Sequence, residues 1–444
     1  MPRLFGTDGI RGVANVELKP TLAYALGRAT AYQLVGKGGQ LVVGQDTRRS
    51  GDMFVSAIAA GATSLGSDVR IAGCVPTPAL AFLAGTGDFA AGIMVSASHN
   101  PADDNGLKVL DRQGLKLDDG IEEEIEQLIW RTEELGSVGN AEIGRAVVDP
   151  GLLDRYREHR LGLARTIDAG GLRIVLDCAN GSGGVVGPEI LGATGATVEV
   201  IHNAPDGINI NVASGATSPG SLALAVRERG ADVGFALDGD ADRLIAVDGH
   251  GEVVDGDRVL GVLALERLER GVLDNGTLVV SVLSNGGLQQ AVEDRGGTVV
   301  RTPVGDKYIL EGMLVSGASL GGEKSGHVIV REYTTSGDGL VTALEVLRVM
   351  TATGTSLADL ARTIPLFPQQ QRTVRVRHKD QWEGDVALRR GIADAEGRLG
   401  GGGRILVRPS GTEPALRVMV EGQDAGLVAE LADTLATLAE QRLN

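Results

Sequence analysis

Residues 92–101 read GIMVSASHNP, and this stretch decides how the chain is laid out. Ile93, Met94 and Val95 are strand formers that run directly into Ser, His and Asn before Pro101, which cannot continue a ladder. A strand ending on small polar residues presents them at the carboxyl edge of a sheet, where open α/β folds hold their ligands. Ser98 is therefore the candidate nucleophile. The same residues also suit an ordinary strand-end turn, so the reading depends on what the rest of the chain adds.

Working outward, the stretch closes the first of three similar units. Each unit opens on a Val, Ile or Leu-rich strand that ends in a polar turn: residues 40–46 (QLVVGQD), 173–181 (RIVLDCANG) and 277–287 (TLVVSVLSNGG). A second strand follows through Gly in GSDVRIAGCVPTP, GATVEVIHNAPDG and GGTVVRTPVGDKY. A third segment ends on a polar loop: GIMVSASHNP, VGFALDGDADR and SLGGEKSGH. Continuous apolar strands separated by helix-compatible segments predict α/β layers with largely parallel sheets. Beyond IPLFPQQQ, a Pro-bracketed linker, the chain reads strand (RTVRVRH), helix (DVALRRGIADAEGRL), strand, the loop RPSGTEP, strand (LRVMVEG) and helix. This predicts a small α+β domain. Leu427, Leu431, Leu435 and Leu438 lie on one face of the last helix and are assigned to its core.

Composition bounds the partners. With 444 residues the chain exceeds one domain of about 100–200 residues, and 66 glycines against 3% aromatics suit Val, Ala and Leu-rich α/β layers. A net charge of −16 argues against nucleic acid or an anionic membrane as partner, and confines any phosphate site to a focused cluster of cations. Cys74 and Cys178 lack metal-ligand spacing and are expected to be buried free thiols in a reducing compartment. The opening MPRLFGTDGIRG lacks the plan of a signal peptide and no run reaches the roughly 18–20 apolar residues of a membrane span. The expected location is the cytoplasm.

Four loops carry chemistry. In LDGDADR, Asp238, Asp240 and Asp242 alternate, so an extended backbone would turn all three carboxylates to one side, a costly crowding unless a cation sits between them. Hard oxygens suit Mg²⁺ or Mn²⁺. A calcium EF-hand fails because Arg243 stands at its sixth position and Gly249 at its twelfth. In RPSGTEPALR, Arg408 and Arg417 flank Ser410, Gly411 and Thr412, a phosphate cradle of guanidinium, hydroxyl and free backbone N–H groups. In GGEKSGH, Glu323, Ser325 and His327 mix acceptors, donors and a titratable ring, as a sugar ligand needs. FGTDGIRG supplies Arg11, and NGLKV places Lys108 ten residues after Ser98. Either cation could screen a phosphoryl group. Each loop also has a plainer reading as a solvated turn. Together, a nucleophilic serine, a divalent-metal triad, a sugar loop and a phosphate cradle describe phosphoryl transfer to and from a phosphosugar through a phosphoenzyme.

FGTDGIRG, GIMVSASHNP, ALDGDADR, GGEKSGH and RPSGTEP, in that order along essentially the whole chain, resemble the α-D-phosphohexomutase superfamily. The resemblance implies a four-domain architecture of three similar α/β domains and a smaller α+β C-terminal domain around a central cleft. The expected domains are 1–150 with the phosphoserine loop, 151–253 with the metal loop, 254–366 with the sugar loop and 367–444 with the phosphate loop.

The resemblance further implies that Ser98 carries a phosphate and donates it to glucosamine 6-phosphate. The resulting 1,6-bisphosphate turns round in the cleft, and glucosamine 1-phosphate leaves to feed UDP-N-acetylglucosamine and peptidoglycan precursors. By the same resemblance Ser98, Asp238, Asp240 and Asp242 hold one Mg²⁺, and Glu323 and Ser325 meet sugar hydroxyls. Arg408, Ser410, Gly411, Thr412 and Arg417 hold the phosphate that is not reacting, and Arg11, Lys108 and His327 are the candidate acid and base groups. A sugar 1,6-bisphosphate is the expected activator, and a homodimer is allowed.

FGTDGIRG points to the amino-sugar branch of the family, with mutases of neutral hexose phosphates as the alternative. Three features depart from the branch pattern: Lys324 in place of Gln, Gln45 in place of Arg, and NVASGATSP (residues 211–219) without Cys or His. Lys324 would repel a sugar ammonium group. Two other classes compete: a phosphosugar-binding protein without turnover, and a metal-dependent phosphatase that would have no use for the separate cradle.

Overall fold

The repeat in sequence becomes a repeat of strand order. In a computed structural model, which describes residues 3–6, 8–410 and 414–444, the first sheet contains β1 (Ile10–Val13), β2 (Gln40–Gln45), β3 (Asp68–Cys74), β4 (Ala91–Val95), β5 (Asp104–Asp111) and β6 (Ala146–Val148). The second contains β7 (Arg173–Asp177), β8 (Thr197–Ile201), β9 (Val233–Leu237), β10 (Leu244–Asp248) and β11 (Val253–Val254). The third contains β12 (Thr277–Ser281), β13 (Thr298–Thr302), β14 (Leu320–Gly322) and β15 (Val328–Val330). Each sheet repeats one order, β3-β2-β4-β5, β8-β7-β9-β10 and β13-β12-β14-β15. The first three strands of each set run parallel and the fourth returns antiparallel.

Every residue of β4, β9, β12 and β14 is buried. That is why these segments read as continuous apolar runs: both faces of the sheet are covered. The polar loops after β4, β9 and β14 leave the same edge of their sheets, so the third strand of each unit delivers one loop.

Internal packing divides the chain into two units, Met1–Leu283 with Arg295–Thr363, and Ser284–Asp294 with Ile364–Asn444. The first carries the three sheets. The second carries an antiparallel sheet of order β16-β18-β17, formed by β16 (Gln369–Arg375), β17 (Arg404–Pro409) and β18 (Ala415–Glu421). Helices Val386–Leu399 and Ala425–Leu443 belong to the same unit. Leu431 and Leu435 are buried in its core with Val418 and Val420, and Leu427 and Leu438 pack against them half-buried, as the helical spacing predicts.

Three expectations change. The linker is shorter than the sequence suggests, because Gln369–Gln371 already pair with β18. Cys74 is half-buried, at the end of β3, whereas Cys178 is buried; both are free. LDGDADR is a turn rather than an extended segment, with Ala241 at φ +57°. Among the described residues no helix is long and apolar enough to cross a membrane.

Candidate active site

Ser98 lies in the turn after β4, fully buried, with φ +53°. A non-glycine residue in this left-handed region carries strain of about 1–3 kcal/mol and persists only where its surroundings hold it. The Ser98 N–H donates to Ser96 Oγ (2.9 Å), and the Ser98 Oγ–H donates to Asp238 Oδ2 (2.5 Å). Ser98 and the metal loop thus meet, although 140 residues separate Ser98 from Asp238 in sequence.

Asp238, Asp240 and Asp242 are buried, and one carboxylate oxygen from each lies within 4.8 Å of the others. The left-handed Ala241 folds the loop so that the carboxylates converge, where strand alternation was expected to align them. Arg243 N donates to Asp238 Oδ1 (3.1 Å), while Thr77 Oγ1 (2.6 Å) and Lys108 Nζ (2.9 Å) donate to Asp240 Oδ2. Asp240 Oδ1 and Asp242 Oδ1 are buried without a hydrogen-bond partner. Burial, then the charges of Asp242 and Asp240, push the Asp238 carboxyl well above its usual range. Buried acceptors without donors in a crowded all-oxygen set fit a hard divalent cation, which satisfies the oxygens and removes the repulsion.

Three candidate acid–base groups surround this cluster. Lys108, buried on β5 opposite Met94, is set against burial by Asp240 and Asp8 and stays firmly an ammonium ion. The backbone of His327 pairs with that of Arg243 in an isolated antiparallel bridge, and the ring Nε2 accepts from Gly337 N (3.0 Å), which leaves the proton on Nδ1, 3.7 Å from Asp242 Oδ2. Burial opposes protonation of His327, but Asp242 and Asp306 raise its pKa on balance. Against the upward push of burial, Lys108 and His327 hold Asp242 well below the carboxylate range. Arg11, on β1, pairs with Asp8 and donates to Asn100 Oδ1 (3.4 Å) in the Ser98 turn.

Glu323 and Ser325 lie in the hairpin between β14 and β15. Glu323 Oε1 accepts from Gly305 N (3.1 Å), and Ser325 Oγ is buried without a partner. Lys324 is half-buried, and its carbonyl accepts from Gly256 N (3.1 Å). In the second unit Arg408 and Arg417 face each other across β17 and β18. Ser410 N donates to Ala415 O (2.8 Å) and Arg417 Nε is buried without a partner. Gly411 and Thr412 lie outside the described residues.

Sequence reasoning passed over several residues of the site. Lys116 pairs with both Asp8 and Asp306, and Asp306 Oδ2 lies 3.9 Å from His327 Nε2. Asp8 stands inside the quoted FGTDGIRG, and Asp306 follows a strand in TPVGDKY, so a polar residue at a strand end was the available signal. Arg48 and Asn211, both hydrogen-bonded to the Ser98 turn, had only their position in polar loops to mark them.

Four family models cover the chain in order. Phosphoglucomutase/phosphomannomutase alpha/beta/alpha domain I matches residues 2–136, domain II residues 154–251, domain III residues 255–367, and the C-terminal domain residues 373–438. The chain is 50% identical over 427 residues to a phosphoglucosamine mutase of Moorella thermoacetica, covering 96% of each protein. A crystal structure of a phosphoglucomutase/phosphomannomutase family protein from Burkholderia thailandensis superposes with a TM-score of 0.84 at 26% identity, over 100% of this chain and 98% of that one. The Aspergillus fumigatus N-acetylphosphoglucosamine mutase, crystallised with GlcNAc-6P and magnesium, shares the fold at 19% identity, with a TM-score of 0.71 over 99% of this chain and 96% of that one.

Proposed function

The chain belongs to the phosphoglucomutase/phosphomannomutase family of α-D-phosphohexomutases, and on that premise we propose that it interconverts glucosamine 6-phosphate and glucosamine 1-phosphate through a phosphoserine at Ser98. The observation that carries this reading is the buried Ser98 hydroxyl, 2.5 Å from a carboxylate of the three-aspartate cluster. The amino-sugar assignment rests on the half-identical phosphoglucosamine mutase.

Ser98 carries the phosphoryl group in the resting enzyme. A free hydroxyl of the sugar phosphate attacks it: the bond from phosphorus to Ser98 Oγ breaks as the bond to the sugar oxygen forms, the hydroxyl proton passes to a base, and the departing Ser98 Oγ takes up a proton from an acid. The bisphosphate turns round and returns its other phosphate to Ser98. His327 holds a proton at Nδ1 beside Asp242 and can give it up only from the imidazolium form, in which Nε2 is protonated and no longer accepts from Gly337 N. Lys108, kept cationic, acts by charge on the phosphoryl oxygens, as does Arg11, which pairs with the same Asp8.

Asp238, Asp240 and Asp242, with an oxygen of the phosphorylated Ser98, would hold one Mg²⁺, which when bound neutralises charge on the phosphoryl oxygens. Glu323 and Ser325 accept and donate to sugar hydroxyls; the unpartnered Ser325 Oγ supports that role. Arg408, Ser410, Gly411, Thr412 and Arg417 hold the phosphate that is not reacting. A sugar 1,6-bisphosphate re-primes Ser98 when an intermediate escapes. These roles divide among domains 1–150, 151–253, 254–366 and 367–444. Two free thiols suit a reducing cytoplasm.

The test is turnover of glucosamine, glucose and mannose 6-phosphates with Mg²⁺ and a trace of glucose 1,6-bisphosphate, followed by phosphorus NMR. Glucosamine 6-phosphate is expected to convert fastest, and Ser98→Ala to lower turnover by about 10⁴-fold or more. Preference for a neutral hexose would move the substrate assignment, and an active Ser98→Ala variant would end the phosphoserine mechanism.

A further inference from the structure

Ser98 sits in a backbone conformation that its own residue type disfavours, and two side chains from different parts of the sequence hold it there. The guanidinium of Arg48, fully buried, donates to the carbonyls of Ser98 (3.0 Å), Asn100 (2.8 Å), Asp104 (3.0 Å) and Pro101, which together span the whole turn. Its Nε donates to Asp46 Oδ2 (2.9 Å). The same Asp46 oxygen accepts from Ser96 Oγ (2.7 Å), the atom that receives the Ser98 N–H. From the second sheet's loops Asn211, itself at φ +61°, donates through Nδ2 to the carbonyls of Ser98 (2.9 Å) and Asn100 (3.1 Å).

We propose that Arg48 and Asn211 are positioning residues that clamp the turn carrying Ser98 in its left-handed form and so set where its hydroxyl, and the phosphate on it, stand relative to Asp238. The inference rests on the phosphoserine reading above. Neither residue reaches the Ser98 hydroxyl; both act through the backbone. The fork of Arg48 is what the task requires, because five N–H groups in one plane reach four carbonyls and a carboxylate together, whereas the ammonium of lysine has three donors at one point. Arg48 comes from the strand-end loop after β2, beside β4 in the first sheet. Asn211 comes from the loop segment 211–219 between β8 and β9. The turn is thus held from two domains of one unit.

The experiment uses the full-length Mg²⁺-loaded enzyme and three variants, Arg48→Lys, Asn211→Ala and Arg267→Lys. Arg267, buried and paired with Glu332 and Glu345, controls for loss of a buried ion pair away from the site. Transfer from glucose 1,6-bisphosphate to Ser98 is followed by intact mass, and kcat and KM are measured for glucosamine 6-phosphate. Misplacement of a reacting group by about 1 Å costs about 100-fold, so Arg48→Lys is expected to lose about that in transfer rate and kcat, and Asn211→Ala about 10-fold. KM is expected to stay within about threefold of wild type, since the sugar's contacts remain. Arg267→Lys is expected to lower Tm without this kcat loss.

Transfer rates in Arg48→Lys and Asn211→Ala within about threefold of wild type would overturn the clamp, as would a kcat loss in Arg267→Lys as large as theirs. If Arg48→Lys does not fold, Asn211→Ala decides alone. Failure of wild-type Ser98 to take up phosphate would overturn the phosphoserine reading itself, a result distinct from uptake that is equally fast in wild type and variants.

Discussion

At the scale of single residues, the site is a collection of groups pushed away from their ordinary ionisation. His99, next to Ser98, is the clearest case: burial, then the charges of Arg243 and Arg11, lower its pKa from 6.5 to about 4. The unfolded chain binds that proton near pH 6.5 and the folded protein does not until about pH 4. Folding stability therefore falls as pH drops through this window and levels off below it, because the unfolded state binds more protons there. In the metal-free protein, the loss of Tm between pH 6.5 and 4 is expected to be smaller in His99→Gln than in wild type. Thermal melts across that range check it; identical slopes would mean that the ring is not held neutral.

At the scale of elements, helices Pro20–Thr30 and Gly51–Thr63 pack so closely that glycine is required at their crossing. A Cβ on Gly61 would collide with the carbonyl of Tyr24, and one on Gly27 with that of Ile58. Overpacking of this kind costs about 1–3 kcal/mol, so Gly61→Ala is expected to lose that much in urea unfolding while the folded enzyme keeps its kcat. With 66 glycines in the chain, nothing in the sequence singles out these two. The strands are different. The residues of β2, β7 and β12 announce themselves as apolar runs because a sheet covered on both faces selects them directly. The antiparallel returns β5, β10 and β15 carry no mark of their direction in sequence, and only pairing reveals it.

At the scale of the whole molecule, an acidic protein binds a dianionic sugar phosphate, so its cations have to be concentrated. Arg417, whose Nε is buried without a partner and which faces Arg408 across the sheet, is the group to test. A hydrogen bond to a charged group contributes about 1.5–3 kcal/mol, so Arg417→Ala is expected to raise KM about 10- to 100-fold. kcat should change less, because a phosphate held alike in ground and transition states affects binding and not the chemical step. Steady-state kinetics on glucosamine 6-phosphate separate the two; a fall in kcat at constant KM would remove Arg417 from the cradle.

The sequence by itself determined the three-fold α/β repeat, the smaller α+β domain and the loops that bear Ser98 and the three aspartates. These are local properties: strand periodicity, turn-forming residues and runs of like charge sit within about ten residues of one another and leave a pattern in the chain. Only the tertiary structure decided which groups meet. Asp8, Lys116 and Asp306 form one ion-pair chain although 190 residues separate Lys116 from Asp306, and Arg48 and Asn211 converge on the backbone of a single turn. Such contacts leave no periodic trace, because a carbonyl oxygen accepts a hydrogen bond whatever side chain it carries, and because the donors are chosen by where the folded chain places them.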